Sequence, residues 1–432
     1  MPPSAITRRL SAMRTQTPSG FVRLGWPVMV ERPLEWLRAQ SVLPRFYWRS
    51  RGKDACEHAG IGCAHLVTAT HEWEPAASPD GVETPRYFGG LAFDAEALGW
   101  PGFGACRFVL PRLELEHRAG RAVLYLNLYF DGRDRDAELD AAEAALNALR
   151  PALSPAPLTP TGFTRHDRPS AREWAEWITQ ATLLSDQART PKVVLSRESR
   201  LATAQPVDPW ILLNQWRQLA GDCFHFGFQF APEAAFIGCS PERLYRREGT
   251  RLLSEALAGT SRRDGDPARD AALAAELLAD PKNRRENQLV HADILARLAP
   301  LSHHASLAEP GIVKLRALQH IRRDIEAELH PWVRDRHLLA ALHPTPAVGG
   351  TPRDAALKFI RRHESHRRGW YAGACGMLSH ETTELTVAIR CARVTAGAVT
   401  LYAGAGIVIG SVPAAEWDEL EAKIADVMSL LG

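Results

Sequence analysis

Apolar and polar positions along this chain recur with two periods, and each switch between them marks an element. Between residues 20 and 135 the signals are short and strand-like. Phe46-Tyr47-Trp48-Arg49, the run from Tyr87 to Phe93 and Cys106-Arg107-Phe108-Val109-Leu110 are aromatic and β-branched, bounded by Gly, Pro or Asp. The segment from Pro111 to His117 alternates strictly, Ala119-Gly120-Arg121 turns, and Ala122 to Leu128 returns. That pattern predicts a hairpin. From Asp136 to Leu149 the period lengthens, with Leu139, Ala142, Ala145, Leu146 and Leu149 on one helical face.

The proline-rich stretch from Pro151 to Pro160 is the best boundary in the chain, and its brevity predicts a surface connection rather than a free linker. Beyond it, Ser170 is placed to cap a helix carrying Trp174, Trp177 and Ile178. Helices are predicted over 209–220, 267–279, 283–298 and 414–431. Strands are predicted over 191–197, 224–230, 235–238, 377–378, 384–391 and 398–402, with a hairpin turning at Glu248-Gly249-Thr250. Hairpins and helices mix without a βαβ rhythm. The pattern therefore predicts an α+β fold with large antiparallel sheets and no internal repeat.

Composition narrows the class. The 432 residues are 45% hydrophobic and 24% charged, the balance of a globular protein. A net charge of +2 gives no electrostatic case for nucleic acid as a partner, and no apolar run is long enough to span a membrane. Residues 1–16 carry Arg8, Arg9 and Arg14 without an apolar core, which predicts a disordered tail rather than a secretory signal. Seven cysteines, an odd number with no CxxC pair, point to reduced thiols in a cytoplasmic protein.

Several segments could carry chemistry. Residues 342–352 hold three prolines and two adjacent glycines, a stiff loop that fixes His343 and Thr345, or a plain connection before a helix. Gly404-x-Gly406-x-x-x-Gly410 has the wrong spacing and context for a dinucleotide fingerprint; it reads as a glycine-lined strand start that lets a ligand approach backbone. Lys192 heads an apolar strand, where lost hydration favours the free amine of a general base, or where it snorkels to water. Glu242, between two apolar strands, is a buried acid or a partner for Arg243 or Arg246. Glu286, Glu416 and Glu419 lie near helix starts; oxygen ligands from two helices suit Mg²⁺, although acids there also complement the helix dipole. His303, His304, His363 and His366, with the basic run 361–368, read as surface.

Taken together, these segments resemble the chorismate-utilising enzymes: isochorismate, salicylate, anthranilate and aminodeoxychorismate synthases. The resemblance is carried by 192–197, Ser240-Pro241-Glu242, the run from Ala256 to Arg263, 286–290, 343–350, Ala388-Ile389-Arg390 and Glu416-Trp417-Asp418-Glu419 with Lys423. It implies one domain over 17–432, with a divergent part to residue 160 and a motif-bearing part from 161. Two large antiparallel sheets flanked by helices are the fold it implies. It further implies a Mg²⁺-dependent reaction on chorismate, with Glu286 and Glu419 as direct ligands and Glu416 supporting. Relatives with a further acid three residues before the first ligand differ from this chain, which has Asn283.

The nucleophile follows from two positions. Ammonia-using members carry glutamine where Lys192 stands, and aminodeoxychorismate synthases carry lysine where Ala258 stands. Lysine with alanine is the water-using pattern, so Lys192 is the expected base and Glu242 the expected acid. Ala258, Gly259, Thr260, His320, Thr345, Arg390, Gly404, Gly406 and Lys423 match positions around the substrate. The loop form and Trp370-Tyr371-Ala372-Gly373 place the chain nearest isochorismate synthases of the menaquinone type, ahead of the siderophore type. The expected protein is a monomer without an obligate glutaminase subunit. A salicylate synthase that goes on to eliminate pyruvate is the alternative, and a non-catalytic chorismate- or metal-binding module the alternative of another class.

Overall fold

In the computed structural model of the chain, residues 4–15, 20–52, 55–69, 84–97, 99–130, 132, 134–186 and 190–432 are described. Two antiparallel sheets dominate, one of twelve strands and one of ten. They face each other where Phe46 of the first stacks on Phe88 of the second, with ring centroids 4.4 Å apart. Helices cover them, with Pro209–Ala220 against the first sheet and Pro281–Leu298 against the second.

The predicted hairpin forms between Leu113–Arg118 and Arg121–Phe130, pairing Leu113 with Leu126. Ser170 caps the helix Ala171–Asp186 reciprocally: Ser170 N donates to Glu173 at 2.8 Å and Glu173 N to the Ser170 hydroxyl at 3.4 Å. Asp208 caps Pro209–Ala220, and Asp280 caps Pro281–Leu298.

The proline-rich segment divides neither sheet. Strands from before it (Gly20–Val28, Arg45–Arg49, Glu57–Ile61) join the first sheet beside strands from after it, and Tyr87–Leu91 and Cys106–Leu110 join the second. The segment crosses the surface, pinned where Leu153 N donates to Glu35 O and Thr161 N to Leu431 O.

Two expectations are corrected by the fold. The supposed disordered tail contains a helix, Ser4–Met13, that buries Ile6, Leu10 and Met13; residues 1–3 and 16 lie outside the described residues. Its apolar side chains are spaced for one face, a signal masked by the arginines between them. The predicted strand 384–391 breaks into Thr382–Val387 in the second sheet and Cys391–Thr395 in the first. Arg390, at φ 48°, makes the crossing.

Candidate active site

Two of the short links by which the chain passes between the sheets lie side by side. One is Pro241-Glu242, between Ala234–Ser240 of the first sheet and Arg243–Glu248 of the second. The other is Ala388-Ile389-Arg390. They are bonded to each other: Val387 N donates to Glu242 O at 3.0 Å, Cys239 N to Arg390 O at 2.9 Å, and Ser240 Oγ to Val387 O at 2.6 Å. A crossing chain leaves the pleat, so the side chains of Glu242 and Arg390 are delivered between the sheets. There a pocket of about 650 Å³, counting its open mouth, is lined by both.

The remaining walls come from three further elements. The strand Arg251–Arg262 bulges between Leu257 and Thr260, with Gly259 at φ +87°, and turns Ala258, Gly259 and Thr260 to the pocket. The bulge is held from the helix Pro281–Leu298: Asn287 donates to Ala256 O and Ala258 O, and Asn283 Oδ1 accepts from Thr260 N at 3.1 Å. Asn283, where some relatives have an acid, thus supports backbone. From the same helix Glu286 reaches the pocket, and from Pro413–Leu431 come Glu419 and Lys423.

Lys192 begins the strand Lys192–Thr203 and is fully buried. Its ammonium lies 3.1 Å from Glu286 Oε1 as an ion pair without hydrogen-bond geometry. Antiparallel to it runs Ala398–Ile407, with Gly404 opposite Ser196 and Gly406 opposite Val194. The glycines therefore sit at a strand end rather than the expected start. A Cβ on Gly406 would overlap Glu286 Oε1 and come 3.0 Å from Lys192 Cε; one on Gly404 would come 2.6 Å from the Tyr371 hydroxyl. The missing side chains are the space that these groups occupy.

Glu242 is buried, and its carboxyl has no hydrogen bond or ion pair among the described residues. Burial pushes its pKa up to about 8, helped by Glu255 and opposed by Lys192 and Lys423. Arg243 and Arg246, its conceivable partners, pair instead with Glu384 and Glu248. Glu242 thus carries its proton at neutral pH. Burial, with Arg390 and Lys423 alongside, lowers the His320 pKa to about 3, so the ring is neutral. Arg390 can only donate, so its 3.2 Å contact makes His320 Nε2 the acceptor and puts the ring proton on Nδ1, 3.1 Å from Thr260 Oγ1.

Three carboxylates meet three ammonium groups here. Lys192 pairs with Glu286, Lys282 with Glu416 at 2.6 Å, and Lys423 with Glu419 at 2.5 Å. The Glu416 pKa is raised by burial and, after the opposing pull of Lys282, by its neighbour Glu419, a repulsion that a cation would relieve. The three acids do not close to within 4.8 Å of one another. Such an open oxygen set fits Mg²⁺, which keeps waters and takes substrate oxygens beside one or two carboxylates.

The loop before the helix Arg353–His363 contributes Ala347 and Val348 to the wall, not Thr345, which is buried with its hydroxyl unpartnered. His343 is part-buried, with Nε2 2.9 Å from Ala92 O, and anchors the loop. Gly350, at φ +119°, lets the loop pair with the Lys192 strand, since a Cβ there would overlap the Lys192 carbonyl.

The basic run behind the loop, expected to be surface, is partly interior. His366 and Arg368 are buried. Arg368 donates to Val348 O at 2.8 Å, to Val194 O at 2.7 Å and to Glu364, which in turn accepts from Ser196 N at 2.8 Å. The i,i+4 spacing of Glu364 and Arg368 was visible, but not that a second element would close over them. Tyr371, a further wall residue, had no local signal beyond its aromatic neighbours.

The family model described as "Chorismate binding enzyme" matches residues 8–432. The chain belongs to this family. Among chorismate binding enzymes it is 37% identical over 401 residues to the isochorismate synthase MenF of Escherichia coli K12, covering 92% of this chain and 90% of that protein. It is 34% identical to the salicylate biosynthesis isochorismate synthase of Pseudomonas aeruginosa, over 87% of this chain and 81% of the relative. The solved structure of the Escherichia coli menaquinone-specific isochorismate synthase superposes with a TM-score of 0.88 at 34% identity, covering 99% of this chain and 100% of that one. The two-sheet fold is therefore the fold of the family.

Proposed function

We propose that the chain is an isochorismate synthase of the menaquinone type, converting chorismate to isochorismate. The observation that carries this reading is an unpartnered, protonated glutamic acid in the pocket wall, with a buried lysine just behind that wall against Glu286. The similarity to named isochorismate synthases over nine-tenths of the chain supports it.

The reaction replaces one hydroxyl by another across a diene. Lys192, once its ammonium has passed a proton to solvent, takes a proton from water as the water attacks ring C2. The ring double bonds shift, and the C4–O bond breaks as Glu242 delivers its proton to the departing hydroxyl, which leaves as water. One water enters and one leaves, so the product is an isomer. Arg390 and Lys423 attract and orient the substrate's carboxylates, and the neutral His320 holds Arg390 in place. Glu286 and Glu419, supported by Glu416, would hold Mg²⁺, which neutralises the ring carboxylate and fixes its position. Ala258, without an amine, leaves water as the nucleophile, and no glutaminase partner is then required.

Purified protein incubated with chorismate and Mg²⁺, with products separated by chromatography, tests this. Isochorismate is the expected product, and Lys192→Ala, still folded by circular dichroism, loses turnover. Salicylate with pyruvate would replace this reading by a salicylate synthase. No turnover in any condition would replace it by a binding module.

A further inference from the structure

Away from the pocket, Cys56, His58 and Glu116 bring a sulfur, an imidazole nitrogen and a carboxylate oxygen within 4.8 Å of one another. The strand pairing creates the cluster. Glu57–Ile61 runs antiparallel to Leu113–Arg118 with His58 directly opposite Glu116. Cys56, two residues before His58, projects to the same face. None of the three lines the pocket described above, and all three border a separate cavity of about 1600 Å³.

The surroundings are built for a ligating histidine. His58 Nδ1 is 3.0 Å from Glu114 Oε1, and Glu114 is fully buried. Arg23 at 3.0 Å and Arg86 at 3.1 Å fix the Glu114 carboxylate in place behind the ring. With Nδ1 taken up by Glu114, Nε2 is the ring nitrogen available to a ligand. A carboxylate behind the histidine is the arrangement that fixes a metal-bound imidazole. The Cys56 thiol makes only a 3.7 Å contact to His117 O.

We propose that Cys56, His58 and Glu116 form a second metal site, selective for a thiophilic divalent ion such as Zn²⁺, distinct from the Mg²⁺ site. Thiolate, imidazole and carboxylate are a set that zinc accepts in tetrahedral geometry, with a water from the cavity as fourth ligand. On binding, Cys56 releases its proton to solvent. The thiolate and Glu116 then carry two negative charges against the ion's two positive ones. Arg86, now shared between the two glutamates, gives up Glu116 and keeps Glu114.

The test is titration of the metal-free full chain with Co²⁺, read by absorption, followed by competition with Zn²⁺. One equivalent is expected to give a thiolate-to-cobalt charge-transfer band that Zn²⁺ abolishes and excess Mg²⁺ leaves intact. Cys56→Ser is expected to lose the band, and His58→Gln to lose it or weaken binding at least about tenfold, with the melting temperature of each metal-free variant near that of the parent. Cys63, the exposed thiol, is the control: Cys63→Ser keeps the band. No band in the parent, or a band that survives Cys56→Ser, overturns the proposal. Chorismate turnover by Cys56→Ser with Mg²⁺ present should match the parent, so the outcome is independent of the catalytic reading.

Discussion

Glu242 shows how one residue acquires a role from its surroundings. A glutamic acid on a surface is ionised at neutral pH; here burial, with Glu255 nearby, keeps it protonated up to about pH 8. Arg51 holds Glu255 in place with two bonds, of 3.0 and 2.7 Å. A general acid works only while it carries its proton, so kcat/KM should fall as pH rises through about 8, read from a pH–rate profile. Glu242→Gln removes the donor; turnover should drop about 10²–10⁴-fold, with near-UV circular dichroism unchanged. The identity of Lys192 and Glu242 as candidates was legible from their positions at the edges of apolar strands. The protonation state of Glu242 was not, because the groups that set it lie far away in sequence.

At the scale of elements, the proline- and glycine-rich loop shapes the site without supplying its chemistry. Gly350→Ala requires a strained φ and overlaps the Lys192 backbone, so it should destabilise the fold by about 1–3 kcal/mol in urea unfolding and lower turnover further than that loss explains. Arg368 ties this loop to the strand behind Lys192 and to Glu364. Arg368→Ala leaves Glu364 a buried charge without its partner, a loss of about 3–5 kcal/mol. The broken strand at Arg390 teaches the same lesson. Its apolar run predicted the extended chain up to Val387 but not the strand Cys391–Thr395 that follows the break, and period-two patterning cannot say which sheet a strand joins. The crossing that delivers Arg390 to the pocket is a tertiary event.

For the whole molecule, each sheet joins a block of strands from before residue 160, five of twelve in the first and three of ten in the second, to strands from after it, so the divergent amino-terminal part belongs to the frame rather than being an appendage. The helix Ser4–Met13 belongs to that frame: Leu10 is fully buried, and Arg14 beyond it pairs with Asp140 and Glu143 of the helix Arg135–Asn147. Leu10→Ala should cost about 2–5 kcal/mol in denaturant unfolding while the pH dependence of turnover stays unchanged, since no residue of that helix lines the pocket. The sequence by itself determined the element types, the α+β class and, through the identities at Lys192, Glu242, Ala258 and the three glutamates, the chemistry available, because periodicity and side-chain functional groups are local properties. Only the tertiary structure decided that Glu242 stays protonated, that His320 is neutral, that Thr345 stands back from the wall, and that His366 and Arg368 are interior. Each depends on which distant segments exclude water from that residue, and no local pattern of apolar and polar positions encodes that.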